Sequence, residues 1–311
     1  MKLAMVFPGQ GSQSVGMLQA YAGLPEADGV RAEAGRILGE AFVRVLDEGP
    51  AENLSLTVNT QPAMLVAGVA AFRAWLALGG PQPDVVAGHS LGEYSALVAA
   101  QALSLDDALP LVRFRALCMQ EAVPEGQGAM AAILGLEEDA VRAACEESAQ
   151  GEAVQAVNFN APGQVVIAGH ATAVARAIAA CKSKGAKRAL PLPVSAPFHS
   201  SLMQPAAARL QDALVRVNIT PPRIPLINNV DVIEETDPGR IKDALVRQAA
   251  APVRWVETIR RMAQQGVTHV IECGPGKVLA GLVKRIDGNL RGLALADRES
   301  LEQALASIRG A

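Results

Sequence analysis

The sequence predicts an α/β protein: a parallel-sheet core interrupted by a small β-α-β-β-α-β subdomain of the ferredoxin-like kind. Three observations carry this. Short apolar runs at Leu3–Phe7 and 84–87 alternate with helical stretches, as in a parallel sheet. The middle of the chain, 128–192, changes to the order strand, helix, strand, strand, helix, strand. The length of 311 residues suits about two domains, at roughly 150 residues each. Residues 1–125 and 198–311 are therefore expected to form one large, discontinuous domain, with 126–197 inserted in it.

Each element has a local reason. The first strand, Leu3–Phe7, is an apolar run stopped by Pro8, and Gly9-Gln10-Gly11-Ser12-Gln13 follows as a glycine-rich turn. Residues 62–78 form a helix with Met64, Val66, Val69, Phe72 and Leu76 apolar, ended by Gly79-Gly80-Pro81. A strand at 84–87 precedes an apolar stretch of helical length at 92–102, and a further helix covers 111–122. In the insertion, Gly128–Leu134 is a strand and 137–148 a helix with Ala140, Val141, Ala144 and Cys145 aligned. Strands at 154–158 and 165–168 flank a turn at Pro162-Gly163. Ala171–Ser183 is helical and 188–192 is the last strand of the unit. Beyond it come helices at 200–217, 241–248, 255–265 and 301–308. Strands at 226–229 and 267–272 lie among them, the second running into Gly274-Pro275-Gly276.

Composition excludes several classes. Hydrophobic residues are 50% of the chain and aromatics 3%, so the core is aliphatic and the chain is not disordered. Few aromatics argue against base-stacking recognition of single strands, and a net charge of −3 argues against a phosphate backbone as partner. The longest charge-free stretch, 53–72, holds an apolar part (63–72) too short to span a bilayer. The N-terminal apolar run stops at Pro8, unlike a signal peptide, so a cytoplasmic location is expected. Cys118, Cys145, Cys181 and Cys273 are scattered, and no histidines are paired at ligand spacing, so no metal site is expected.

The strongest local signal is Gly88-His89-Ser90-Leu91-Gly92, a G-x-S-x-G between a strand and a helix. That context is a nucleophile elbow, which makes the core α/β-hydrolase-like. Ser90 is the candidate nucleophile, and the backbone N–H of Leu91 faces a developing oxyanion. A serine needs a base. His89 is its neighbour and points elsewhere in an elbow, His170 lies on a turn, and His269 lies inside a strand. His199 precedes a helix, whose N-terminus keeps an imidazole neutral, and it is the candidate base. No motif marks an acid to orient it: Asp231, Asp237 and Asp287 stay open, as does a backbone carbonyl or amide. On the helix at 111–122, Arg113 shares a face with Ala116 and Gln120 that is expected to be solvated. Arg115 instead shares the inward stripe with Leu111, Cys118, Met119 and Ala122. A buried arginine is either half of an internal ion pair or a clamp for an anionic substrate.

Phe7-Pro8-Gly9-Gln10-Gly11-Ser12-Gln13, Gly88 to Tyr94 and Cys273-Gly274-Pro275-Gly276 together resemble the malonyl-CoA:acyl carrier protein transacylase family. Pro197-Phe198-His199-Ser200, and Gln248 ahead of Pro252-Val253-Arg254-Trp255, match it as well. The motifs run in order over nearly the whole chain. The resemblance implies a ping-pong transfer of malonyl from malonyl-CoA, through a malonyl-Ser90 ester, to the phosphopantetheine thiol of acyl carrier protein for fatty acid synthesis. It implies that His199 takes the proton, that the N–H groups of Gln10 and Leu91 hold the oxyanion, and that Arg115 grips the malonyl carboxylate. It further implies that the Gln248 backbone carbonyl orients His199. Asn158 and Asn160 fall at family positions near the cleft, Asn160 among the substrate-binding residues. Phe198, bulky and next to His199, is expected to narrow the pocket beside the malonyl Cα. No cofactor is expected, since thioester, ester and thioester are near-balanced in energy, and the enzyme is expected to act as a monomer.

An acidic chain that meets an acidic carrier protein needs a local basic patch. Lys182, Lys184, Lys187 and Arg188 form one group, and Lys277, Lys284 and Arg285 another. Three rival readings remain at this stage. A serine hydrolase would share the elbow without a use for Arg115. A polyketide-pathway acyltransferase would share the chemistry. A scaffold protein would need none of these residues.

Overall fold

A computed structural model describes residues 1–194 and 196–310. Its strands are β1 (Leu3–Phe7), β2 (Val85–Gly88), β3 (Gly128–Leu134), β4 (Val154–Ala161), β5 (Gln164–His170), β6 (Arg188–Pro191), β7 (Leu226–Ile227), β8 (His269–Cys273) and β9 (Arg291–Leu295). Five of them form a parallel sheet in the order β7-β2-β1-β8-β9. Both faces are covered, so β1 is buried at every residue and reads as a continuous apolar run. Met5, Phe7 and Val86 pack into the core on one face, while Ala4, Val6, Val85 and Ala87 enter the core on the other. The helix Thr57–Ala77 lies in the first of these cores with sixteen buried residues.

The other four strands form an antiparallel sheet in the order β4-β5-β3-β6. Counted within their own segment, that is the second, third, first and fourth strands, the ferredoxin-like arrangement. Helices Glu138–Ala149 and Ala171–Ser183 cover one face, with Val141, Cys145, Val174 and Cys181 in a separate core. Strand β4 also joins the segment after Gln248: Phe159 N–H donates to Val253 O at 3.0 Å, and Val253 N–H to Val157 O at 2.9 Å. The small sheet is thereby stitched to the wall of the site. Two irregularities in the β4–β5 register fall between Ala156 and Asn158 and between Phe159 and Ala161, the second at Asn160 itself, and bulges commonly re-aim side chains.

Some boundaries move from the sequence expectation. The long helix starts at Thr57, not at Pro62. Thr60 Oγ1 donates to Leu54 O, and Thr60 and Gln61 are fully buried, so tertiary contacts override the proline signal. The helix expected over 92–102 ends at Ala99, with Gln101 in the left-handed region. The helix expected over 200–217 is a short 3-10 turn, Ser201–Met203, followed by Gln204–Leu214. Strand β4 runs three residues past Asn158, to Ala161. The helix carrying Arg115 spans Leu105–Glu121, and on it Ala116 is fully buried, so only Arg113 and Gln120 of their expected face reach solvent. All four cysteines are free and buried.

Candidate active site

Strand β2 ends at Gly88, and Ser90 follows in the left-handed region at φ +53°. The turn closes only because two positions lack side chains. A Cβ on Gly88 would sit 1.8 Å from the Gly92 carbonyl carbon, and one on Gly92 would sit 2.0 Å from Phe7 O. A non-glycine residue at φ +53° is strained and must be held from outside. Asn229 Oδ1 accepts from Ser90 N–H at 2.8 Å, and Asn229 Nδ2 donates to Gly88 O at 2.6 Å. Gln248 Nε2 donates to Ser90 O at 2.9 Å. The elbow is thus clamped on three backbone groups.

His199 Nε2 lies 2.6 Å from Ser90 Oγ, and its Nδ1 lies 2.8 Å from Gln248 O. A backbone carbonyl only accepts, so Nδ1 carries the proton and Nε2 presents a lone pair to the serine hydroxyl. Burial, and after it the charge of Arg115, push the His199 pKa down to about 3, so the imidazole is neutral. A helix dipole was the expected cause. The structure replaces it with burial and the Arg115 charge, because a three-residue 3-10 turn separates His199 from the helix Gln204–Leu214. Among the described residues no carboxylate pairs with His199: Asp231 pairs with Arg247 at 2.7 Å, Asp237 caps its helix through Arg240 N–H, and Asp287 accepts from Asn289 N–H.

Arg115 is 1% exposed and forms no ion pair among the described residues. Its Nη1 donates to Gln61 Oε1 at 2.8 Å, and its Nη2 to Gln248 Oε1 at 2.8 Å and to Ser90 Oγ at 3.3 Å. It also lies over the Tyr94 ring, 5.5 Å from the centroid. Every direct partner is neutral. A desolvated cation beside the nucleophile therefore lacks a bonded anion, which sets aside the internal ion pair.

A cavity of about 210 Å³ opens onto these groups, lined by Gln10, Ser90, Arg115, Asn160, Phe198 and His199 among others. Asn158, Met130 and Val166 of the small sheet line it too. Leu91 caps the helix Gly92–Ala99, so its N–H is among the amides without a helical partner. The Gln10 loop packs against the elbow, since a Cβ on Gly9 would meet His89 O at 2.8 Å. Asn160 Oδ1 is 2.8 Å from His89 Nε2. The other histidines do structural work elsewhere: His170 Nδ1 accepts from Ala153 N–H, and His269 lies inside β8.

Two residues of the site, Gln61 and Asn229, had no sequence signal of their own, and a third, Glu93, lies in the Gly88 to Tyr94 motif but had no role assigned to it. Glu93 is buried, and its Oε2 accepts from Asn229 N–H and Gln248 Nε2, each at 3.0 Å. Burial pushes its pKa up to about 7. Asn229 follows β7 at the carboxyl end of the parallel sheet, as Ser90 follows β2 and Gln10 follows β1. Sites of open parallel sheets gather at that edge, and that rule was the one available pointer to Asn229.

Residues 4–288 match the acyl transferase domain family. The chain is 54% identical over 305 residues to the malonyl CoA-acyl carrier protein transacylase of Salmonella typhimurium, covering 98% of this chain and 99% of the relative. It is 46% identical over 310 residues to the protein of that name from Bacillus subtilis, covering 99% and 98%. The acyl-carrier-protein S-malonyltransferase structure from Burkholderia pseudomallei superposes with a TM-score of 0.96 at 60% identity, covering 98% and 100%. A malonyl-transacylase solved in complex with a type II PKS acyl-carrier protein gives a TM-score of 0.97 at 50% identity, covering 99% and 100%.

Proposed function

The chain belongs to the acyl transferase family, and from that premise we propose that it moves malonyl groups from malonyl-CoA to acyl carrier protein, supplying fatty acid synthesis. The observation that carries the substrate is Arg115: a buried guanidinium with only neutral bonded partners, 3.3 Å from the nucleophile. The free carboxylate of a malonyl thioester is the anion that completes it.

In the first half-reaction Ser90 Oγ attacks the thioester carbonyl as its proton passes to His199 Nε2. The N–H groups of Leu91 and Gln10 hold the oxyanion. The C–S bond breaks, and the CoA sulfur leaves with the proton from His199. In the second, the phosphopantetheine thiol gives its proton to His199 and attacks the malonyl-Ser90 ester, and Ser90 regains the proton. Atoms balance without a cofactor. Gln248 O steadies the imidazolium that forms in each half. Bound carboxylate also offsets the Arg115 charge that depresses His199, so the right substrate raises the basicity of its own catalyst. Asn160 faces the acyl chain, and Phe198 narrows the cavity beside the malonyl Cα. In this reading 126–197 is the inserted subdomain and forms one wall of the cleft. The enzyme acts as a monomer in this reading. Among the described residues no helix is long and apolar enough to cross a membrane, and we place the reaction in the cytoplasm. The relative in complex with a type II PKS acyl-carrier protein favours polyketide supply as the second reading.

Intact mass after mixing with malonyl-CoA tests the proposal. A malonyl adduct is expected that is absent in Ser90→Ala and that discharges when carrier protein is added. Free malonate with no adduct and no transfer to the carrier would mean a hydrolase.

The carrier protein needs a basic face. Lys184 is tied to Glu147 at 2.8 Å, whereas Lys187 and Arg188 are exposed. Arg285 Nη1 donates to Gln164 Oε1 at 2.5 Å, Gln164 pairs with Leu134, and Leu134 pairs with Arg188. Both basic groups thus border one end of the small sheet, where Ala161, next to Asn160, also pairs with Gln164. Charge reversal at Lys187 and Arg188 is expected to raise the KM for carrier protein about tenfold and to spare acylation by malonyl-CoA. Equal effects on both half-reactions would place docking elsewhere.

A further inference from the structure

The motif residue Glu93 has no part in the proton transfers, yet its carboxylate is buried at the centre of the site. The side-chain amide of Gln248 lies between it and Arg115. Its oxygen accepts from the guanidinium at 2.8 Å, and its nitrogen donates to the carboxylate at 3.0 Å. A cation at one end and a carboxylate at the other fix the amide's direction, because the flipped rotamer would set N–H against N–H and oxygen against oxygen. Glu93 also holds Asn229 N–H, and Asn229 and Gln248 clamp the elbow. One carboxylate therefore stands behind three functions: the strained turn, the residue that orients His199, and the charge that faces the acyl group.

We infer that Glu93 is a positioning residue and the remote counter-charge of Arg115, and that it sets how tightly the site grips a substrate carboxylate. The inference rests on the malonyl-transfer reading. With Glu93 ionised, the pair Glu93 and Arg115 is neutral overall, and a bound carboxylate adds a net negative charge. With Glu93 neutral, the same carboxylate meets an uncompensated guanidinium. An ionised Glu93 therefore loosens the grip, so that the malonyl group can leave for the carrier. The other titratable groups facing this centre do not change charge near neutrality. They are Arg115 from the helix Leu105–Glu121, Tyr94 on Glu93's own helix, His89 and His199 from the flanking turns, and Asp231 after β7. Burial raises Tyr94 to about 12 and lowers His89, and His199 sits at about 3. Asp231 is held low by Arg247, and Arg115 stays a cation although burial lowers it. Glu93, raised to about 7, is left as the group that switches.

The test uses Ser90→Ala protein, which cannot be acylated, and compares its Kd for malonyl-CoA and acetyl-CoA by calorimetry. The two ligands share every phosphate and differ by one carboxylate, so their affinity ratio isolates the charge. Adding Glu93→Gln is expected to tighten malonyl-CoA about tenfold and to leave acetyl-CoA within about twofold. Without that substitution, the malonyl preference is expected to fall as pH rises from about 6 to about 8.5, and Glu93→Gln should flatten the dependence. Equal shifts for both ligands, or a pH dependence that survives Glu93→Gln, would overturn the inference. Thermal unfolding checks that the variant is folded. If it is not, the pH titration of Ser90→Ala alone decides, and a flat malonyl-to-acetyl ratio rejects the proposal. Absence of any malonyl preference in Ser90→Ala would instead count against the substrate reading itself.

Discussion

Arg115→Ala is expected to lower kcat/KM for malonyl-CoA by about a thousandfold and to raise it for acetyl-CoA. Both changes have the same origin. The malonyl carboxylate loses a charge-assisted, forked partner in a cavity where water cannot replace it. The loss is larger than a surface pair would give, because the substrate charge is left desolvated. Acetyl-CoA loses nothing there. It gains, because the guanidinium next to His199 is one of the causes that depress the imidazole. With that charge gone, His199 takes the Ser90 proton more readily. The substitution also frees Gln61 Oε1 and Gln248 Oε1, which accept from Arg115 in the intact site. Some general loss is therefore expected on top of the change in preference. Rates measured for both thioesters separate the two. A loss that is the same for each would mean that Arg115 only supports the fold around the elbow.

Much of this site was legible because its chemistry is tied to local sequence. The elbow can be read from Gly88 and Gly92 alone, since any side chain there collides with backbone. Arg115 was legible from helical spacing, because a charge on an inward stripe contradicts its neighbours. The ferredoxin-like unit was legible because its strands and helices alternate cleanly between breakers.

What escaped depends on contacts between distant segments. Glu93 and Asn229 are 136 positions apart, and only the parallel sheet brings β2 and β7 side by side. Gln61 hid behind Pro62, which signals a helix start but here lies inside the helix. Helices at Pro25–Leu38 and Glu40–Glu48 carry or abut Gly29, Gly35 and Gly39, so propensity spoke against them while burial of Val30, Ala34, Phe42 and Leu46 formed them. Edge strand β9 is mostly half-buried, with a glycine inside, and lacks a clear period. Composition could not say that one basic face borders both groups of cations, because that follows from strand register.

His199 is expected to control the protein's behaviour in acid as well as its rate. His199→Gln should cut kcat by about a thousandfold, because Ser90 then has no proton acceptor. The wild-type kcat/KM should show no acid limb from this residue near its ordinary value of 6.5, since the folded pKa is about 3. Stability moves the other way. Between 6.5 and about 3 the unfolded chain binds a proton that the folded chain refuses. Unfolding is therefore favoured as pH falls through that window, and the contribution is intact only above 6.5. At about 1.4 kcal/mol per pH unit, the window holds at most about 5 kcal/mol. The buried carboxylates work with the opposite sign. Glu93 and Glu272, each raised from 4.5 to about 7, are most favourable below 4.5 and lose stability as pH rises towards 7. In the overlap the two effects partly cancel, so the wild-type pH curve hides the histidine. The difference between wild type and His199→Gln uncovers it. Urea unfolding of both proteins from about pH 4 to about pH 8 should give a difference that is constant above 6.5 and moves in favour of the variant below it. A difference that does not vary with pH would mean that His199 keeps its ordinary value of 6.5 in the folded protein, and that burial and Arg115 do not hold it neutral.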